Sequence, residues 1–266
     1  MAARQNNTPN RYSNLVAYIF KKGYRRGISE FSFSREDIIA AAAELGIVLP
    51  KNIGDVIYSF RYRTDLPECI TKTQPKHFEW VILGSGKGEY IFKLTRLNKI
   101  VPRENLISIK IPDATPEIIG AYALGDEQAL LAKVRYNRLI DVFLGVAAFS
   151  LQNHLRTTVA GIGQIEVDEI YVALDKSGRQ YVIPVQAKGG HDKHGVVQTS
   201  QDIACCKEKF PNLICRPVSV QFMENDEIAM FELLEEKSGI KVVDEKHYQL
   251  VPANNITTDD LMRYRH

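Results

Sequence analysis

Apolar residues recur at helical spacing from Arg11 to about Arg26, at Leu15, Val16, Ile19 and Phe20, so a first helix is predicted there. Ser34 suits an N-cap and Gly46 a helix stop, which bounds a second helix. Pro50 suits the first turn of a third helix running to about Arg63. On that helix Ile53, Val56, Ile57 and Phe60 share the buried face. Lys51, Asp55, Tyr58, Ser59 and Tyr62 face outward, with Arg61 and Arg63 on the flanks. Two strand-like runs then surround Gly84–Gly88, which predicts a hairpin with a basic, flexible tip at Lys87. Residues 98–125 are interrupted by Pro102, Pro112 and Pro116 and read as a linker that becomes the edge of a second domain. From Asp126 to about Thr158 a broad apolar face predicts one long core helix. The stretch from Gly163 to Gly190 alternates differently: two β-branched runs flank Asp175-Lys176-Ser177-Gly178-Arg179, the turn chemistry of a β-hairpin. A helix over Gln198–Lys209 follows. Strands are expected at 216–222, 228–233 and 240–251, and a polar tail from Ala253.

In the Gly163–Gly190 hairpin, strand alternation puts Ile165, Val167, Tyr171, Ile183, Val185 and Ala187 on one face. Glu166, Asp168, Gln186 and Lys188 fall on the other. A three-residue loop Lys176-Ser177-Gly178 sets Asp168 opposite Gln186 and Glu166 opposite Lys188. Cross-strand Cβ atoms lie about 4.5–5.5 Å apart, so four polar heads converge. Two acids, an amide oxygen and an ammonium suit a hard divalent cation such as Mg2+, with Mn2+ as a substitute. In such a site the lysine orients or deprotonates a water that attacks a phosphodiester. A surface hairpin with solvated charges is the competing reading.

An Asp on one strand followed about 17 residues later by Gln-x-Lys on the next resembles the PD-(D/E)xK nuclease superfamily. The segment VIPVQAKGG is similar to the Gln-x-Lys variant of Mrr-type restriction nucleases. The resemblance implies that Asp168 is the metal-binding acid, Gln186 the second metal-side position and Lys188 the catalytic lysine. No proline precedes Asp168, and Gln186 replaces an acid; Glu166 is the acid the pleat favours to restore the charge. Three helices followed by a hairpin resemble a winged helix-turn-helix domain over 11–97, in which the third helix enters the major groove. The implied DNA-contacting set is Lys51, Asp55, Tyr58, Ser59, Arg61, Tyr62, Arg63 and Lys87. The fold class expected is α/β (α+β), with a nuclease domain over 126–266 built on a mixed sheet flanked by helices.

Charge supports this division. Residues 1–99 hold 16 Lys/Arg against 9 Asp/Glu, a net +7, and the remainder holds 18 against 23, a net −5. A basic first third suits double-stranded DNA as partner. A Walker phosphate loop is excluded at Gly84–Gly88, because Val81 and Gly88 stand where glycine and Ser/Thr are needed. His191 and His194 lack a third ligand, so a solvated loop or a phosphate contact is expected in preference to a metal site. Cys69, Cys205, Cys206 and Cys215 show no CxxC spacing and are expected as reduced thiols, mostly buried. No membrane-spanning run or signal peptide is evident, which points to the cytoplasm. Met1–Asn10 is expected as a disordered tail. The activity expected is that of a type II restriction endonuclease, a homodimer if its target is palindromic. A structure- or damage-specific nuclease and a catalytically silent DNA-binding regulator stay open beside it.

Overall fold

The computed structural model describes residues 12–96, 99–122, 127–189, 194–223, 226–236 and 239–265. The expected tail Met1–Asn10 and His191 lie outside these. The chain divides into two units, Met1–Asn98 with Ala160–Gly163, and Lys99–Val159 with Gln164–His266. It is a mixed α and β protein, with a large mixed sheet flanked by helices.

The first unit runs α1 (Ser13–Gly23), β1 (Glu30–Ser34), α2 (Arg35–Leu45), α3 (Gly54–Tyr62), α4 (Glu68–Thr71), β2 (Glu79–Gly86) and β3 (Glu89–Thr95). Its antiparallel sheet has the order β1-β3-β2. The α1 stripe of Leu15, Val16, Ile19 and Phe20 is buried against α2, α3 and the sheet, with Phe20 edge-on to Trp80 and Phe92. Ser34 caps α2 in a reciprocal box with Asp37, and Gly46 ends it in the left-handed region, both as predicted. The third helix starts later than Pro50. Asn52 accepts from the Asp55 amide and its side chain donates to the Asp55 carboxylate, so a turn occupies that position and Lys51 lies before the helix. The hairpin tip is tied rather than free, because the Gly88 carbonyl accepts from the Arg35 amide. Strand β1, with no counterpart in the sequence reading, pairs along β3 from Glu30 to Ser34.

The second unit holds β4 (Lys99–Ile100), β5 (Ser108–Pro112), α5 (Glu117–Tyr122), α6 (Glu127–Tyr136), α7 (Leu139–Leu144), β6 (Ala147–Val159), β7 (Gly163–Leu174) and β8 (Gln180–Lys188). It continues with β9 (His194–Gly195), α8 (Val196–Lys209), β10 (Ile214–Cys215), β11 (Val218–Phe222), β12 (Glu227–Glu236), β13 (Gly239–Val251) and α9 (Thr258–Arg263). The sheet order is β5-β13-β12-β11-β8-β7-β6, with β10 also on β8. β8 pairs antiparallel with β7 and parallel with β11. Residues 98–125, expected as a linker turning into an edge, supply edge strand β5 parallel to β13 and helix α5.

The long helix expected over Asp126–Thr158 does not form; α6, α7 and β6 occupy its described residues. Asn137 turns its amide to the Lys133 carbonyl, the Thr115 hydroxyl and the Ala114 amide, and Arg138 enters the left-handed region, which breaks the first helix. Gly145, at φ 64°, ends the second. Beyond it the chain is extended, and β-branched Thr157, Thr158 and Val159 lead into a turn with Gly161 and Gly163 at positive φ. Leu130, Leu131, Val134, Leu139 and Ile140 still bury against the sheet, on Tyr171, Ile183, Val185 and Val220. Strands β7 and β8 are thereby covered by α6 and α7 on one face, and α8 packs against β8 as well. Of the cysteines, Cys205 and Cys206 are buried, Cys215 is half-buried and Cys69 is exposed, all as free thiols. No helix among the described residues is long and apolar enough to cross a membrane.

Candidate active site

The β7–β8 hairpin sets the site. Leu174 pairs with Gln180 and Glu169 with Val185, and the Asp175 amide donates to the Arg179 carbonyl with Gly178 at φ 78°. This is the loop predicted, and the register agrees over Glu169–Leu174. Beyond Glu169 an Asp168 oxygen accepts from the Ala187 amide at 2.8 Å, which sets Asp168 beside the Gln186–Ala187 segment, while Glu166, expected opposite Lys188, is turned to His154 and Arg156 of β6. Gln186 is buried, with its Nε2 donating to the Glu166 carbonyl at 3.1 Å and to Asp202 of α8 at 3.3 Å. Both of its amide protons are thus committed, and its Oε1 accepts no hydrogen bond among the described residues. Lys188 is half-buried at the strand end.

Burial pushes the Asp168 carboxyl above its ordinary value, against the Ala187 hydrogen bond and the nearby Lys188 charge. Burial also raises the Asp202 carboxyl well above normal, and Asp168 adds to that despite the hydrogen bond from Gln186. The two acids therefore repel within one low-dielectric layer, a state that an added cation relieves. Glu166 behaves differently. Its carboxylate takes Arg156 at 3.1 Å and His154 at 3.1 Å from β6. Burial opposes ionisation there, but these hydrogen bonds outweigh it and hold the carboxyl below its ordinary value.

Other polar groups that share this layer were not assigned to the site from the sequence. Asp202 is one. His194, expected in a solvated loop, is instead buried, with Nε2 2.6 Å from the Thr199 hydroxyl. Burial, with Lys188 second, holds its pKa down to about 3, a neutral imidazole. Ser219 and Gln221 on β11 lie beside Gln186 and Lys188. The helical spacing of α8 was visible, but nothing local told which of its residues would meet β8.

No three His, Cys, Asp or Glu side chains among the described residues are grouped so as to hold a metal ion. The donor chemistry nonetheless fits Mg2+. Asp168 supplies a half-buried carboxyl destabilised as an anion, Gln186 an uncommitted amide oxygen, and both donors are oxygens.

In the first unit, Lys51, Asp55, Tyr58, Arg63 and Lys87 are exposed, while Ser59, Arg61 and Tyr62 are half-buried. Ser59 bonds the Thr64 hydroxyl, Arg63 stacks over Tyr58, and the Arg61 guanidinium lies over the Tyr62 ring. The presented set is therefore narrower than the expected one, and Arg61 is its least available member.

On the opposite face of β7, fully buried Glu169 takes Arg135 at 3.0 Å and the Ser150 hydroxyl at 2.5 Å. Arg135, Ser150 and Tyr171 line a neighbouring cavity of about 350 Å3. Compared with protein-family models, curated proteins and solved structures, the chain matches none.

Proposed function

We propose that this protein is a Mg2+-dependent endonuclease of restriction type that hydrolyses phosphodiester bonds of double-stranded DNA in the cytoplasm, acting as a homodimer. The observation that carries the reading is the convergence of Asp168, Gln186 and Lys188 on the sheet face that also meets Asp202 of α8. The resemblance of these residues to the Gln-x-Lys form of the PD-(D/E)xK nucleases agrees with it. Asp168 and Gln186, with Glu166 as the further acid, would hold the magnesium. When bound, it supplies positive charge to the phosphate and lowers the pKa of a coordinated water. Asp202 keeps the Gln186 amide turned so that its oxygen, not its nitrogen, is left to accept. Lys188 orients or deprotonates the attacking water at its Nζ. The first unit reads DNA through α3 and the β2–β3 tip, with Lys51, Arg63 and Lys87 on phosphates.

Incubating the protein with plasmid and phage DNA, methylated and unmethylated, tests this. Discrete fragments in Mg2+ that vanish in chelator are expected. A second reading, a silent DNA-binding regulator, is favoured by one observation: Glu166 is already held by Arg156 and His154. Tight DNA binding with no cutting in either Mg2+ or Mn2+ would establish it instead.

A further inference from the structure

A buried polar atom left without a partner keeps the full penalty of leaving water. Three such atoms border the Gln186–Lys188 segment: Gln221 Oε1, Ser219 Oγ and His194 Nδ1. The parallel register sets Ser219 beside Gln186 and Gln221 beside Lys188. Register partners point to one face of a sheet, and here that is the α8 face, since the intervening Ala187 and Val220 belong to the opposite core. His194, whose β9 strand leads straight into α8, is near enough to feel the Lys188 charge, and its other nitrogen is occupied by Thr199. Lys188 itself has three N–H donors and forms no ion pair among the described residues.

Charge decides what these orphans are for. Asp168 attracts Lys188 while no cation is present. A divalent cation on Asp168 reverses that, because the ammonium then faces like charge. Its N–H donors then turn to other acceptors, and the unpartnered polar atoms adjoining it are on β11 and β9, His194 Nδ1 being an acceptor in the tautomer whose Nε2–H donates to Thr199. We propose that Gln221 Oε1 and His194 Nδ1 form a second seat for the Lys188 ammonium, taken up when a divalent cation occupies Asp168. Both are positioning residues, and the inference rests on the reading of Asp168 as the cation's acid.

The test is a Mg2+ titration of the full chain followed by 1H–15N spectra, watching the Gln221 side-chain amide, which is assigned by its loss in Gln221→Leu. The amide resonances are expected to shift in the native protein and to stay fixed in Lys188→Met. If Mg2+ moves the Ala187 amide that Asp168 holds but leaves Gln221 unmoved, or moves Gln221 equally in Lys188→Met, the second seat is overturned alone. If Mg2+ moves neither, the Asp168 reading falls and takes the seat with it. Cleavage adds an independent arm. Gln221→Leu is expected to lower kcat about tenfold or more, the scale of a missing hydrogen bond to a charge, with KM for DNA within about twofold. Gln221→Glu, which keeps an acceptor, should recover most of that loss. A merely structural glutamine would give the reverse order, since leucine suits a buried site and glutamate does not.

Discussion

His194 is buried as a neutral imidazole, its pKa depressed to about 3 from an ordinary value near 6.5. A base with a depressed folded pKa binds protons more weakly than the unfolded chain. Its contribution to stability is whole above the unfolded pKa and is lost as pH falls from about 6.5 toward 3. His194→Gln, which removes this titration, should lose less stability over that window, by up to about 1.4 kcal/mol per pH unit. Urea melts of both proteins at pH 7, 5.5 and 4.5 check it; parallel curves would contradict it. Arg135→Leu makes a second residue-scale test. It removes the cation that faces the fully buried Glu169 carboxylate and leaves the charge to neutral partners such as the Ser150 hydroxyl, so a loss of about 3 kcal/mol is expected, as for broken buried pairs. Thermal unfolding measures it, and Glu169→Gln in the same background should recover part of the loss. Among single residues, Asp168, Gln186 and Lys188 were legible because alternation and a turn are local information. Asp202, Ser219, Gln221 and the burial of His194 were not, because they reach β8 through a parallel pairing and a helix crossing that no short window of sequence contains.

At the scale of elements, the hairpin that carries the site depends on Gly178, which sits at φ 78°. Gly178→Ala should cost about 1 kcal/mol, the penalty of a side chain in the left-handed region, while Gly178→Asn costs less. Cleavage should survive both, since Asp175 also accepts from the Ser177 and Arg179 amides and pairs with the Arg179 guanidinium. Ser34→Ala should cost about 1 kcal/mol through removal of the α2 cap. Helix ends and turns of this kind were readable, since caps and glycines act on their neighbours. The long helix over 126–158 misled for a physical reason. Its apolar residues satisfied helical spacing across three elements, and the break rests on tertiary partners: Asn137 bonds Thr115 and Ala114, and β6 is extended because β7 offers it a ladder. Residues 98–125 carry proline punctuation and a single short apolar run. That run became an edge strand only because β13 was there to pair with it.

For the whole molecule, a basic first unit precedes a second unit with a polar layer under α8. Duplex DNA binding should therefore weaken steeply with salt. Replacing exposed Lys51, Arg63 and Lys87 together with alanine should reduce the slope of log K on log salt by about one for each phosphate no longer neutralised. Fluorescence anisotropy across a salt series would show this, and an unchanged slope would move the DNA interface elsewhere. The division of charge along the chain was plain in the sequence, as were the mixed α and β class and most strands of the second unit. The strand order was not, because β8 pairs with β11 across the intervening α8.

The proposed function stands or falls on whether the face bearing Asp168, Gln186 and Lys188 hydrolyses DNA. Single-turnover cleavage of duplex DNA in Mg2+ by the native protein and by Lys188→Ala, with DNA affinity measured for both, decides it. The native protein is expected to cut, and Lys188→Ala to cut about a hundredfold or more slowly, the scale of a missing group that orients or deprotonates the attacking water, at unchanged affinity. Equal cleavage by both proteins would contradict this, as would a native protein that binds DNA and never cuts.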